Sequence, residues 1–186
     1  MADLQGLRSV ASAYLNDVDL SPLNRAYEFV CQRHNGALHA SGESYTRHLL
    51  EVATTLASMK LDLDTILAGL LHGTIKENVA TPEELEDLFG PDVTRIVSGT
   101  TRITNVQYRS ELAHQAENIR KLFLAMSADI RVLLVKLADR LQDMVTLDAT
   151  PRERQRQLAR ETLDLYAPLA SRLGIDWMKR GLEDLS

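Results

Sequence analysis

The chain has 186 residues, of which 45% are hydrophobic and 25% are charged, values that are ordinary for a globular protein. A chain of this length can bury a substantial apolar core, so wholesale disorder is excluded. Its net charge of −5 argues against a general nucleic-acid binder, although a local basic patch is compatible with it.

The spacing of apolar residues is helical in the first half of the chain, with no sustained alternation of the kind that strands need. Ser21 is expected to cap one helix, with proline following at the first helical position, and Asp62 is the expected N-cap of another. Thr81 opens a short helix in the order cap, proline, acid. The helices predicted here cover residues 4–16, 21–34, a segment that starts after Gly42, 63–72, 81–89 and 91–98.

The second half is also predicted to be helical, after a loop over residues 99–110. The most apolar segment, residues 129–147, is expected to form a central helix that is contacted from several sides. Pro168 is predicted to break the helix that precedes it. The predicted helices cover residues 110–126, 129–147, 150–165 and 176–185. The pattern indicates an all-α fold, a single compact bundle of about ten helices over residues 1–186.

Three segments each place a possible metal ligand at or near a helix. They contain His48, His72 and Asp139, each inside or beside an apolar stretch. Histidine and carboxylate side chains from separate helices can share one divalent ion in the core of a bundle. Asp139 lies in the most apolar segment, where a bare carboxylate needs a partner or a metal ion.

The same three residues also fit a purely structural role. A histidine such as His48 or His72 on a helix is commonly a hydrogen-bonded core residue, and Asp139 can pair with Lys136 three positions earlier. Composition and spacing leave both interpretations open.

Five long stretches of the chain are specific enough to compare with known families: SGESYTRHLLEVA, DLDTILAGLLHGT, FGPDVTRIVSGTTRIT, QAENIRKLFLAMSADIRVLLVKLADRL and ETLDLYAPLASRLGIDWMKRGLEDLS. Together they resemble the N-terminal HD-type hydrolase domain of the RelA/SpoT-type alarmone enzymes. The resemblance runs from about residue 22 to the last residue.

This resemblance implies a helical bundle of the HD-domain type. Active members of the family remove pyrophosphate from the 3′ position of the guanosine alarmones ppGpp and pppGpp with a manganese ion. One histidine, a His-Asp pair and a further aspartate hold that ion, and a Glu-Asp pair that follows activates the attacking water.

The metal-binding pattern of the family is incomplete in this sequence. His48, His72 and Asp139 match three of the four ligands, and we expect them to be remnants with low metal occupancy. Gly73 replaces the aspartate of the His-Asp pair and has no side-chain ligand atom. We therefore expect no bound cofactor.

The catalytic pair of the family is altered as well. Lys76 and Glu77 stand where the Glu-Asp pair is expected. Lys76 reverses the charge, and an ammonium group there opposes a bound cation and cannot act as the carboxylate base. Glu77 keeps a carboxylate on a longer side chain. No intact catalytic residue is expected.

The nucleotide-binding positions also depart from the family. His39 and Ala40 replace an Arg-Lys pair that supplies guanine stacking and phosphate contacts. Asp143 and Val145 stand where the family has asparagine and arginine. An acidic group at position 143 repels a phosphate-rich ligand, and the arginine's positive charge is lost.

These departures predict a degenerate, inactive hydrolase domain with a structural and regulatory role in a stringent-response GTP pyrophosphokinase. The ending LEDLS coincides with the point where the family continues toward a synthetase domain. We therefore expect an N-terminal fragment whose partner is the downstream synthetase domain of the same chain.

Two other functions fit the sequence. A weak manganese-dependent ppGpp hydrolase could recruit water, Glu77 or Asp143 as a substitute ligand. A non-cleaving sensor could bind guanosine tetraphosphate through Arg33, Arg47 and Arg140.

The expected location is the cytoplasm. Cys31 is the only cysteine, so an internal disulfide and a Cys-x-x-Cys zinc site are both excluded. No apolar run reaches the roughly 18 residues that span a bilayer, and we expect neither a membrane partner nor direct nucleic-acid binding.

Overall fold

The computed structural model describes residues 3–104 and 129–186 of the chain. Within those ranges the regular structure is helical, which confirms the all-α prediction. The α-helices, numbered in chain order, are α1 Leu4–Ser12, α2 Ser21–Arg33, α3 Tyr45–Ser58, α4 Leu63–Leu71, α5 Pro82–Phe89, α6 Pro91–Thr104, α7 Ile130–Val145, α8 Arg152–Glu161, α9 Ala167–Arg172 and α10 Asp176–Asp184. A 3₁₀ turn covers Leu147–Ala149, and a π-helical turn covers Thr162–Tyr166.

Several helices begin at side chains that satisfy their free backbone N–H groups. The carboxylate of Asp62 accepts from the backbone N–H of Thr65 at 3.1 Å, and the hydroxyl of Thr81 accepts from that of Glu84 at 3.2 Å. Both of these predicted caps are confirmed. Asp129 caps α7 in the same way, accepting from the N–H of Arg131 at 3.0 Å. Such caps contribute about 0.5–2 kcal/mol each. The predicted cap at Ser21 is wrong, because Ser21 is the first residue of α2 and the helix has no side-chain cap hydrogen bond.

The predicted loop at residues 99–110 is wrong over its first part, because α6 continues to Thr104. Gly99 lets α6 approach α7 closely, since a Cβ atom there would lie 2.6 Å from Cγ2 of Val132. The hydroxyls of Thr100 and Thr101 donate to the carbonyl of Val97 and are satisfied within the helix. Residues 105–110 and the helix predicted over 110–126 lie outside the described residues.

Two further boundaries differ from the prediction. α1 ends at Ser12 rather than at residue 16, because the chain then turns and Asp17 adopts a φ of 63°. Pro168 does not break its helix. The π-helical turn Thr162–Tyr166 precedes it, and Pro168 lies at the start of α9. At that position the N–H that proline lacks is not needed for the hydrogen bonds of the helix.

α7 is the central helix, as predicted. Its N-terminal half, including Leu133, belongs to the larger apolar core that α1 to α6 share. Its C-terminal half, including Leu137 and Met144, belongs to a second core built with the helices that follow it. This position places the polar residues in the middle of α7 between α3, α4 and the C-terminal helices.

Candidate functional site

Three helices bring the three predicted ligands together. His48 lies in the first turn of α3, His72 directly follows α4, and Asp139 lies in the middle of α7. Oδ1 of Asp139 is 3.1 Å from Nε2 of His48 and 3.3 Å from Nε2 of His72. The three residues are only 1%, 8% and 9% exposed, respectively. They form a buried group, which we call the His48–His72–Asp139 cluster.

The backbone orients His72 within this cluster. Its Nδ1 lies 2.8 Å from the carbonyl oxygen of Gly69. A carbonyl can only accept, so Nδ1 carries the proton and Nε2 is the nitrogen directed at Asp139. A hydrogen bond of this kind fixes the tautomer of metal-binding histidines and leaves the other nitrogen free to act as a ligand.

The His48–His72–Asp139 cluster can supply three of the ligands of one divalent ion. One ligand atom from each residue of the cluster lies within 4.8 Å of the others. The 3.1 and 3.3 Å separations resemble the edge of a tetrahedral site, which is about 3.3 Å for metal–ligand bonds of roughly 2.0–2.1 Å. Two imidazoles and one carboxylate are also a common ligand set for divalent transition metals.

Lys136 competes for the same carboxylate. Its Nζ lies 2.7 Å from Oδ2 of Asp139, so the predicted ion pair is also present. Burial by itself raises the pKa of Asp139, but the charge of Lys136 and the hydrogen bond from His48 hold it well below its usual value. Asp139 is thus both the partner of a buried ammonium and part of the histidine cluster.

The charge of Asp139 acts on His48 as well. Burial lowers the pKa of His48, and the hydrogen bond and charge of Asp139 raise it by more, so that the net shift is upward. Nδ1 of His48 is buried with no hydrogen-bond partner. Its nearest carboxylate oxygen, Oε1 of Glu43, is 3.6 Å away.

Tyr45 occupies the space beside Gly73. A Cβ atom on Gly73 would lie 2.3 Å from the Tyr45 hydroxyl oxygen and 2.8 Å from Cε1 of its ring. Tyr45 is buried, and its ring stacks on His34 with centroids 4.3 Å apart. The sequence analysis missed this role of Tyr45, because only the packing of α3 against the end of α4 brings it to position 73.

Lys76 and Glu77 lie in the turn that follows His72, with side chains 45% and 41% exposed. Their charged groups are 3.4 Å apart, so they pair with each other. Burial raises the pKa of Tyr45, and the charge of Glu77 adds to this rise, which places Glu77 at the edge of the site.

His39 lies in a tight loop before α3. Its N–H donates to the carbonyl of Glu43, and its carbonyl accepts from Gly42, both at 2.8 Å. Gly42 has a φ of +83°, which a glycine tolerates without strain. The loop directs the His39 ring inward and leaves the neighbouring Ala40 exposed.

The His39 ring stacks on the ring of His48, with centroids 3.9 Å apart, and its Nε2 lies 3.6 Å from Oδ1 of Asp143. Burial, reinforced by the nearby His48, lowers the pKa of His39 to about 4. Burial also raises the pKa of Asp143, and the charge of Asp139 adds to the rise. Two of the positions at which the resemblance implies that nucleotide contacts are lost therefore lie against each other.

The three arginines proposed for a nucleotide sensor bind acidic residues of the chain. Arg140 is buried, donates to Glu161 at 2.8 Å and lies over the ring of Tyr166. Arg33 pairs with Glu84. Arg47 lies 3.9 Å from Glu51, the residue one helical turn later in α3.

The fold and the site together indicate one class of protein. In this class, a helical bundle brings two histidines and one aspartate from three chain segments into an arrangement that can hold a divalent ion. Residues 26–176 match the family described as the HD domain, and the chain belongs to this family.

Within the family, the chain is similar to RelA/SpoT proteins, as predicted. It is 50% identical over 178 residues to the "GTP pyrophosphokinase" of Myxococcus xanthus, covering 94% of this chain and 24% of that protein. It is 42% identical over 181 residues to the "Bifunctional (p)ppGpp synthase/hydrolase SpoT" of Escherichia coli K12, covering 97% of this chain and 26% of that protein. The chain thus spans about a quarter of the length of these relatives.

The fold also matches a solved structure described as "A metazoan ortholog of SpoT hydrolyzes ppGpp and plays a role in starvation responses". The TM-score is 0.63 at 20% identity, and the match covers 90% of this chain and 95% of that one. At this identity the likeness concerns the fold alone, and it confirms the predicted HD-type bundle. In the part of the chain that the structure describes, no helix is both long and apolar enough to cross a membrane.

Proposed function

We propose that this chain is a degenerate (p)ppGpp hydrolase domain that does not cleave ppGpp and that acts as a structural and regulatory unit of a stringent-response GTP pyrophosphokinase. The observation that carries the proposal is the contact between Tyr45 and Gly73. Where the active pattern has an aspartate as its fourth ligand, this chain has no side chain, and the Tyr45 hydroxyl lies 2.3 Å from where a Cβ would be.

The electrostatics of the site support the loss of catalysis. In an active site of this type a metal ion supplies a polarised phosphate and a water of lowered pKa. The chain's own residues would then position the phosphate and take up the proton of that water. Lys76 brings a cation to the position of the first catalytic acid, and Glu77 pairs with it. Lys136 further neutralises Asp139, one of the three remaining ligands.

The altered nucleotide positions support the proposal from a second side. His39 stacks on His48 instead of leaving an open face for a guanine base. Asp143 adds a carboxylate beside the place where a phosphate-rich ligand would bind. Repulsion between that carboxylate and the phosphates weakens binding of ppGpp, since no lysine or arginine is paired with Asp143 among the described residues.

The regulatory part of the proposal rests on the lengths of the relatives. The chain matches about a quarter of the length of relatives that are named GTP pyrophosphokinase or synthase/hydrolase. We infer that it acts in the cytoplasm, packed against a synthetase domain of the same longer protein. In a chimera that carries this chain in place of the matching segment of the Myxococcus relative, we expect GTP pyrophosphokinase activity without ppGpp hydrolysis.

The direct test is ppGpp hydrolysis by the purified 186-residue chain in excess manganese, followed by pyrophosphate release. The Escherichia coli relative serves as a positive control, and the variant His72→Ala serves as the background. We expect no turnover above that background. Sustained turnover that disappears in His72→Ala would contradict the proposal.

A weak manganese-dependent hydrolase is the second candidate, and one observation favours it. The His48–His72–Asp139 cluster keeps three convergent donor atoms with separations that suit a divalent ion. A titration with ppGpp in the same preparation separates both functions from a non-cleaving sensor, since only a sensor binds ppGpp without releasing pyrophosphate.

A further inference from the structure

A second group of potential ligands lies one helical turn along α7 from the first. Asp143 follows Asp139 by four residues, so the two carboxylates lie on the same face of α7, about 6 Å apart along its axis. One ligand atom each from His39, His48 and Asp143 lies within 4.8 Å of the other two. We call this group the His39–His48–Asp143 cluster.

His48 belongs to both clusters, and its two nitrogens face different partners. Nε2 is 3.1 Å from Asp139, whereas Nδ1 is buried and has no hydrogen-bond partner. A buried polar atom without a partner has lost its hydrogen bonds to water and has gained none within the protein, which is energetically unfavourable. Nδ1 of His48 is therefore available as a ligand atom for a metal ion, and it is directed away from Asp139. Glu43 adds a further carboxylate 3.6 Å from this nitrogen.

The other two members are already close to the spacing of metal ligands. Nε2 of His39 and Oδ1 of Asp143 are 3.6 Å apart, near the edge of about 3.3 Å expected for a tetrahedral site. Asp139 is bound by Lys136 at 2.7 Å, whereas among the described residues Asp143 has only the His39 imidazole as its ion-pair partner. A cation at Asp143 thus has no ammonium group to displace.

We propose that His39, His48 and Asp143 bind one divalent transition-metal ion of the zinc type, one turn of α7 away from the His48–His72–Asp139 cluster. Imidazole nitrogens with one carboxylate suit zinc, and three protein ligands leave the fourth position for water. The two rings are now stacked with planes only 10° apart, so their lone pairs do not converge. Binding opens this stack by rotation of His39, which lies in a loop rather than in a helix.

This inference concerns metal binding alone and stands whether or not the chain cleaves ppGpp. The test uses the complete 186-residue chain after treatment with a chelator. Zn²⁺ affinity is measured by calorimetry, and Co²⁺ absorption reports the geometry of the bound ion. We expect one equivalent of metal bound and a tetrahedral Co²⁺ spectrum.

Three variants assign the ion to one cluster. His39→Ala and Asp143→Asn each remove a ligand of the proposed cluster only, and we expect each to weaken Zn²⁺ binding by at least about 10–100-fold. His72→Ala removes a ligand of the first cluster only, so Zn²⁺ binding that is kept in this variant and weakened in the other two assigns the ion to the proposed cluster. Thermal melts in chelator confirm that each variant is folded. Asp143→Asn is isosteric and keeps the test valid if His39→Ala does not fold.

The other outcomes overturn the proposal. Loss of binding in His72→Ala with retention in His39→Ala and Asp143→Asn would place the ion in the first cluster. Equal binding by all variants would show an adventitious ion, and no binding by the parent chain would exclude the site altogether.

Discussion

Replacing Gly73 with alanine tests whether Tyr45 fills the space beside Gly73, where the family resemblance implies an aspartate in active members. The added Cβ would lie 2.3 Å from the Tyr45 hydroxyl oxygen, and 2.8 and 2.9 Å from two ring carbons. Normal contacts between such atoms are about 3.5 Å, so the ring has to move by roughly 1 Å. His34 stacks on the same ring and resists that movement.

The expected cost follows from two opposing terms. Overpacking of a close-packed interior costs about 1–3 kcal/mol. Alanine also restricts the backbone of the unfolded chain more than glycine does, which stabilises the folded state by about 0.4–1 kcal/mol. From the middle of both ranges we expect Gly73→Ala to lower the free energy of unfolding by about 1.3 kcal/mol, which corresponds to about 3–5 °C in Tm for a chain of this size.

Urea unfolding followed by circular dichroism measures this difference. Gly181→Ala is the matched control, because its Cβ would meet only the end of the Leu141 side chain at 3.3 Å. It lies inside α10, so alanine should be neutral or stabilise by up to about 1 kcal/mol. Adding Tyr45→Phe to Gly73→Ala removes the closest atom and should recover part of the loss. A Gly73→Ala variant as stable as the parent chain would refute the reasoning.

Three further predictions concern stability. Asp129→Ala removes the α7 cap and should cost about 1–2 kcal/mol near neutral pH. Hydrogen bonds from Arg131 lower the pKa of Asp129. The stabilisation by this carboxylate is therefore complete above about pH 5 and is lost as pH falls through the folded-state pKa. In urea unfolding from pH 7 to pH 2, the difference in stability between the parent chain and Asp129→Ala should vanish. Leu70→Ala empties a fully buried position and should cost about 2–5 kcal/mol, measured in the same way. Lys136→Met leaves Asp139 without its ammonium partner and should cost about 3–5 kcal/mol, part of which added Mn²⁺ should recover in thermal melts. A Lys136→Met variant that Mn²⁺ fails to stabilise would show that Asp139 does not bind Mn²⁺ even when its ammonium partner is removed.

The sequence predicted best those features that depend on neighbours along the chain. The caps at Asp62 and Thr81 involve residues three positions apart and were found correctly. The segment after residue 98 was predicted wrongly, because tertiary packing overrode local preference. Pro168 was predicted wrongly for a local reason, since it follows the π-helical turn Thr162–Tyr166 and lies at the start of α9. Gly99 permits α6 to approach Val132 on a distant helix, and no pattern within residues 99–104 shows that contact.

The site divides in the same way. The identities of His48, His72 and Asp139 pointed to a shared location because the family resemblance linked three distant segments. Their distances were not readable, since His48 and Asp139 are 91 residues apart. The contacts of Lys136 and Tyr45 with the site depend on which face of each helix meets the next.

By itself, the sequence determined the helical class and the central place of residues 129–147. These follow from residue type and short-range periodicity, which need no partner across the fold. The chemistry that we propose is missing at Gly73 and Lys76 rests on the family resemblance instead, which compares these positions with an active pattern. Only the tertiary structure decided that Tyr45 lies against Gly73 and that His39 stacks on His48 beside Asp143. Such contacts arise where helices from distant parts of the chain pack together, and their geometry depends on the packing as a whole.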